Sequence, residues 1–194
     1  MIAVQKGHIE IAQKLLDFEA EINTKEKNYA PLHLAVFLEN LNLVKMLLEN
    51  GAKVNFLVMH NSSALEIAAF ENKSEHIAKF LLESGAEINH CNDKQETALH
   101  FSVNRGHFAI SKLLLENQAN VNAQEQNGLT PLHIATRVNS IPLAELLLNH
   151  GSDPNVQDRE LSNCLHFAIL RENVEIAKIL LNKCSVPVVV PVTF

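Results

Sequence analysis

Ten histidines and three cysteines are the side chains in this 194-residue sequence that could ligate a metal ion or shuttle protons. Neutral imidazole and thiolate are the usual zinc ligands, and only histidine ordinarily titrates near neutrality. Their spacing argues against both uses. Six of the histidines recur in two contexts: His33, His100, His133 and His166 each follow a leucine, and His8 and His107 each follow a glycine. A residue that returns at a constant interval is accounted for by whatever structure returns there. The remaining four, His60, His76, His90 and His150, share no context, and the adjacent His90-Cys91 pair lacks a second ligand pair at zinc spacing. Cys91, Cys164 and Cys184 are odd in number and scattered, which fits neither a disulfide framework nor a metal cluster and points to a reducing compartment. No nucleophile with an adjacent base, glycine-rich phosphate loop or paired catalytic carboxylates stands out. The residues therefore indicate a non-enzyme with no metal and no cofactor.

What the histidines mark is a repeat. Aligning each Leu-His core gives Leu32-His33, Leu65-Glu66, Leu99-His100, Leu132-His133 and Leu165-His166, at steps of 33, 34, 33 and 33 residues. The fullest version is Gly128-Leu129-Thr130-Pro131-Leu132-His133-Ile134-Ala135. Thr130 can accept from the free N–H groups of a first helical turn, and Pro131 follows where a missing N–H costs nothing. Leu132 and Ala135 share the face that becomes core, and His133 can use both ring nitrogens to tie the helix start to an adjoining loop. A second position recurs at the far end of each unit: Asn23, Asn55, Asn89, Asn122 and Asn155 follow each second helix by the same offset, where a side-chain amide can bond its own backbone and hold a turn.

A period of this size with a Thr-Pro-Leu-His-x-Ala signature resembles the ankyrin repeat. The resemblance implies an all-α solenoid of stacked helix-turn-helix units with β-hairpin loops, about five and a half repeats long. Partial repeat 1–25 precedes repeats of about 26–58, 59–92, 93–125, 126–158 and 159–187, and an apolar tail, 188–194, follows. It further implies protein–protein binding, as a scaffold or adaptor, through a concave groove lined by the residue before the Thr slot and the two at the end of the first helix. In this sequence those are Tyr29, Phe37 and Leu38; Ser62, Phe70 and Glu71; Glu96, Asn104 and Arg105; Leu129, Arg137 and Val138; and Ser162, Leu170 and Arg171. The aromatic and apolar members gather at one end and the arginines at the other. The rival reading is a structural or regulatory spacer in a larger multidomain protein whose activity lies elsewhere. In this family the recurrent asparagine can also be hydroxylated by a factor-inhibiting asparaginyl hydroxylase, and Asn23 and Asn89 match its preference best.

Composition agrees with a solenoid. Hydrophobic residues make up 47% of the chain, yet there is no Trp and only one Tyr, as suits thin layers filled by Leu, Ile, Val and Ala. A net charge of −6 with dispersed basic residues argues against a nucleic-acid ligand. No apolar run is long enough to span a bilayer and no leader pattern opens the chain, so the expectation is a soluble protein of the cytoplasm or nucleus with a protein partner and no small-molecule substrate.

Local departures carry expectations of their own. Met1 enters in mid repeat, so either upstream repeats precede it or, as the reading favours, the frame is a fragment with a half-exposed first layer. Ser63-Ala64-Leu65-Glu66 keeps the capping hydroxyl but loses the proline and the bridging histidine, and an extra residue lies near Lys73-Ser74; a looser layer is expected there. Gln118 stands where glycine ends a second helix, Asn139 stands in for an inter-helix glycine, and Ser140 and Pro142 supply helix-start signals. Val186 to Phe194 is expected to be extended and to bury valines against Ile176, Ile179 and Leu180.

Overall fold

The computed structural model describes residues 2–7, 9–18, 20–24, 29–71 and 75–183, without the side chains of Leu16 and Asp17. His8, the Lys73-Ser74 insertion, Cys184 and the tail lie outside the described residues. Among the described residues twelve α-helices follow in pairs: α1 (Ile2–Gln5) and α2 (Ile9–Asp17), α3 (Pro31–Phe37) and α4 (Leu41–Glu49), α5 (Ala64–Glu71) and α6 (Glu75–Glu83), α7 (Ala98–Asn104) and α8 (Phe108–Glu116), α9 (Pro131–Arg137) and α10 (Ile141–Asn149), α11 (Cys164–Leu170) and α12 (Val174–Lys183). They form two compact units, 1–93 and 94–194.

Within the first unit the inner helix α3 packs on α1, α4 and α5, and α4 packs on α6. Leu32 and Ala35 of α3, Leu43, Val44 and Leu47 of α4, and Leu65, Ile77 and Leu81 of the next pair are essentially inaccessible. In the first layer, Ile2, Ile11 and Leu15 are exposed, and Phe18 is 84% exposed. The second unit repeats the scheme: α9 lies between α7 and α11, and α10 lies between α8 and α12. Leu99, Leu132, Leu143 and Leu147 fill its layers, as do Ile110 and Leu114. Each such side chain contributes about 1.5–3 kcal/mol by leaving water. That burial is needed, because inner helices such as α9, seven residues long, are far below the roughly 12–15 residues at which an isolated helix becomes marginally stable.

The connections between pairs are hairpins too short to form strands among the described residues. Three of them are closed by a cross-turn bond: Val58 N–H donates to Ser62 C=O at 3.0 Å, Glu125 N–H to Leu129 C=O at 3.0 Å, and Asp158 N–H to Ser162 C=O at 2.9 Å. His60 and Asn61, with φ of 58° each, are the left-handed pair that turns the chain back.

Among the described residues two turn positions recur with positive φ. Between the helices the slot holds Gly7, Glu39, Gly106, Asn139 and Glu172, with φ from 54° to 78°, so Asn139 takes the geometry expected of it. After the second helix the slot holds Gly51, Gly85 and Gly151 at 87–90°, and Gln118 at 67°. Gln118 thus bears a side chain in a region where the Cβ–carbonyl clash costs about 1–2 kcal/mol. Gln118→Gly is expected to raise stability by about 1 kcal/mol once glycine's greater unfolded entropy is subtracted. A chemical-denaturation midpoint that does not rise would show that the strain is relieved elsewhere. Of the expected helix-start signals, Pro142 occupies the first turn of α10, whereas Ser140 makes no side-chain cap bond. At the equivalent place in α4, Asn40 Oδ1 does accept from Leu43 N–H, at 3.0 Å.

Candidate functional site

Thr130 caps α9, and His133 in the third helical position turns back on it. The Thr130 N–H and hydroxyl meet Nδ1 at 3.2 and 2.8 Å, while Nε2 reaches Ser162 C=O in the next hairpin at 3.3 Å. His100 repeats this with Thr97 at 3.1 and 2.9 Å and Leu129 C=O at 3.2 Å. A carbonyl can only accept, so Nε2 carries the proton and Nδ1 is the lone-pair acceptor for the cap. One neutral ring therefore fastens its own helix start and the following loop. His166 makes the capping half with Asn163, whose N–H meets Nδ1 at 3.2 Å.

The first unit departs from this pattern without losing the linkage. Glu66, 2% exposed, stands in the histidine slot of α5. Its Oε2 accepts from Ser63 N–H at 3.0 Å, Ser63 Oγ accepts from Glu66 N–H at 3.3 Å, and Oε1 lies 2.8 Å from His90 Nδ1. The bridge expected to go with the histidine is kept in another form: a reciprocal Ser-x-x-Glu capping box and a carboxylate–imidazole contact stand in its place. His90, which fitted no recurring slot, is the carboxylate's partner.

The recurrent asparagines also act differently from expectation. Asn23 Nδ2 donates to Gly51 C=O at 3.1 Å and its Oδ1 accepts from Lys53 N–H at 2.8 Å. Asn55 does the same to Gly85 C=O and Glu87 N–H, at 3.1 and 2.9 Å, and Asn122 to Gly151 C=O and Asp153 N–H, at 3.3 and 2.9 Å. Each amide holds the left-handed glycine turn of the following repeat, not its own backbone. The asparagine's own turn is closed by the residue two before it: Asn122 N–H meets Asn120 Oδ1 at 3.1 Å, and Asn155 N–H meets Asp153 Oδ1 at 2.9 Å. Of the two asparagines singled out for hydroxylation, Asn23 is half-buried in this clamp and Asn89 is exposed.

The positions expected to line a groove lie at or beside the ends of the inner helices. In the first unit Tyr29, Phe37 and Leu38 are 37%, 44% and 40% exposed, with the rings of Tyr29 and Phe37 6.0 Å apart and tilted by 43°. Phe70, Glu71 and Ser62 are half-buried. In the second unit Asn104, Arg105, Val138, Leu170 and Arg171 are exposed, whereas Glu96, Leu129, Arg137 and Ser162 are half-buried. Among the described residues no group of three or more His, Cys, Asp or Glu side chains could hold a metal ion, and no helix is long and apolar enough to cross a membrane.

Residues 1–58 and 65–158 match a family model for ankyrin repeats in three copies, and residues 138–181 match one for ankyrin repeats in many copies. The chain belongs to the ankyrin-repeat family. Ankyrin repeats are generally protein–protein interaction modules and typically non-catalytic. No curated protein matches the chain.

The buried histidines give this ankyrin array a pH dependence. Burial in the stack lowers the pKa of both His100 and His133 below the ordinary 6.5, against the raising effect of the carbonyls of Leu129 and Ser162 and of Glu125 and Asp158. Below pH 6.5 the unfolded chain binds protons that the folded chain refuses, so stability rises with pH through this window and is lost as pH falls from 6.5 toward the folded values. The second unit is expected to hold constant stability above about pH 7.5 and to lose it progressively toward pH 5.5. Replacing both histidines with glutamine should flatten that slope in urea titrations; an unchanged slope would assign the acid sensitivity to other groups.

Proposed function

We propose that the chain is a protein-interaction scaffold or adaptor that takes its partner at the ends of its inner helices, with the row Tyr29, Phe37, Leu38 and Phe70 as the anchor of the first unit. The observation that carries this reading is the exposure of Tyr29, Phe37 and Leu38 side by side, on helices whose core faces are already filled. Exposed apolar groups of this size that contact one another mark interfaces, and large aromatic side chains dominate binding energy. The layer beneath holds them in place, since Leu32, Ala35 and Val36 of the same helix are fully buried and fix the backbone from which Phe37 projects.

The test is a peptide or protein ligand selected from a display library against the full chain. Phe37→Ala should weaken its binding by about 2 kcal/mol, close to thirtyfold. Because Phe37 lies outside the packed core, the unfolding midpoint should barely move. A variant that unfolds readily, yet binds normally per folded molecule, would place Phe37 among the structural residues. A spacer role would be favoured if ligands selected against the whole chain were indifferent to Tyr29, Phe37 and Phe70 alike.

A further inference from the structure

We infer that the second unit carries a rail for an acidic, polyproline-II-like segment of the partner, with carboxylates at every third residue read by Arg105, Arg137 and Arg171. This rests on the reading of the chain as a protein binder. All four arginines of the sequence, these three and Arg159, fall within residues 94–194. Arg105 is the C-cap of α7, Arg137 is the last residue of α9 and Arg171 is the C-cap of α11. These three helices pack side by side in that order. Arg105 and Arg171 are exposed and Arg137 is half-buried. The Arg137 guanidinium donates to Asn104 Oδ1 at 3.2 Å, a neutral acceptor that orients the fork across the α7–α9 junction without cancelling its charge. Among the described residues neither Arg137 nor Arg171 takes part in an ion pair. Beside them Val138 and Leu170 are exposed, Leu170 by 78%, so the charges border an apolar strip.

Helix polarity alone does not explain the placement. The C-termini of α8 and α10 bear the same partial negative charge, yet their C-cap residues are Asn117 and His150 and not arginine. Arginine, unlike lysine, grips a carboxylate with two parallel N–H donors. Packed helices stand about 8–10 Å apart, and a polyproline II segment turns once in three residues, advancing about 9 Å. Carboxylates at i, i+3 and i+6 of such a segment therefore fall on one side at about the spacing of the packed helices that carry the arginines. In a β-strand, i and i+3 would face opposite sides.

Two fluorescent peptides of equal composition test this against the full chain: repeated Glu-Pro-Ser triplets, and the same residues with all glutamates contiguous. The spaced peptide should bind about fivefold more tightly, and Arg137→Gln or Arg171→Gln should each weaken it by a similar factor, more at low salt than high. Arg137→Lys should recover part of the loss, while Arg159→Gln, on a hairpin loop, should change nothing. Thermal unfolding checks that each variant remains folded. Equal binding of the two peptides, a preference for a contiguous or helical acidic peptide, or tighter arginine-dependent binding of oligothymidylate would overturn the inference. Failure here with Phe37 still required by selected ligands removes the rail and not the interaction function.

Discussion

His133→Ala is expected to destabilise the second unit by about 3 kcal/mol. The imidazole is fully buried and bonded at both ends, to the Thr130 cap at 2.8 and 3.2 Å and to Ser162 C=O at 3.3 Å. Its removal leaves the Thr130 N–H without an acceptor inside the stack, a desolvation cost of about 1–3 kcal/mol, and takes from the Ser162 carbonyl one of its two donors, Asp158 N–H remaining at 2.9 Å. It also opens a void beside Phe167, whose ring meets His133 edge-on with centroids 5.4 Å apart. In an array of this kind each repeat is stabilised through its interfaces, so the loss should spread to the α11–α12 pair. Hydrogen exchange should therefore rise in that pair as well as in α9. His133→Gln, which can serve one end of the linkage but not both, should lose about half as much. A loss below about 1 kcal/mol for the alanine variant would mean that the histidine fills space without bridging.

Glu66→Ala should be comparably damaging in the first unit. The carboxylate is buried with Ser63 N–H at 3.0 Å and His90 Nδ1 at 2.8 Å, and its removal leaves the Ser63 N–H and the imidazole without this acceptor, each at a cost of about 1–3 kcal/mol. Glu66→Gln retains an acceptor for Ser63 and should be milder. A double-mutant cycle with His90→Ala isolates the contact, with a coupling energy of about 1–3 kcal/mol expected. Strictly additive losses would show that Glu66 serves the cap alone.

Glu66 also shows where the sequence was legible and where it was not. Helix starts at Pro31, Thr130 and Pro131, the leucine core and the left-handed slot at Asn139 could all be read from local spacing, because their causes lie within one turn of chain. The Ser63–Glu66 capping box was equally local, but comparison with the repeat pattern made the glutamate look like an absence. Its partner His90 is 24 residues away, and nothing in the spacing joins them. The asparagine clamps were misassigned for the same reason: Asn23 could be seen to recur, but its bonds to Gly51 and Lys53, 28 and 30 residues on, exist only once the repeats stack. The groove positions came from the family pattern. Exposure of Phe37 and half-burial of Phe70 depend on packing that the pattern does not contain.

The most direct test of a binding face at the inner-helix ends is a hydrogen-exchange footprint of several independently selected ligands on the full chain. Protection is expected over Tyr29–Leu38 and the end of α5 in the first unit, and over the ends of α7, α9 and α11 in the second, with α4, α8 and α10 unchanged. Protection concentrated on those outer helices, with the segment from Tyr29 to Leu38 exchanging as in the free protein, would contradict the account.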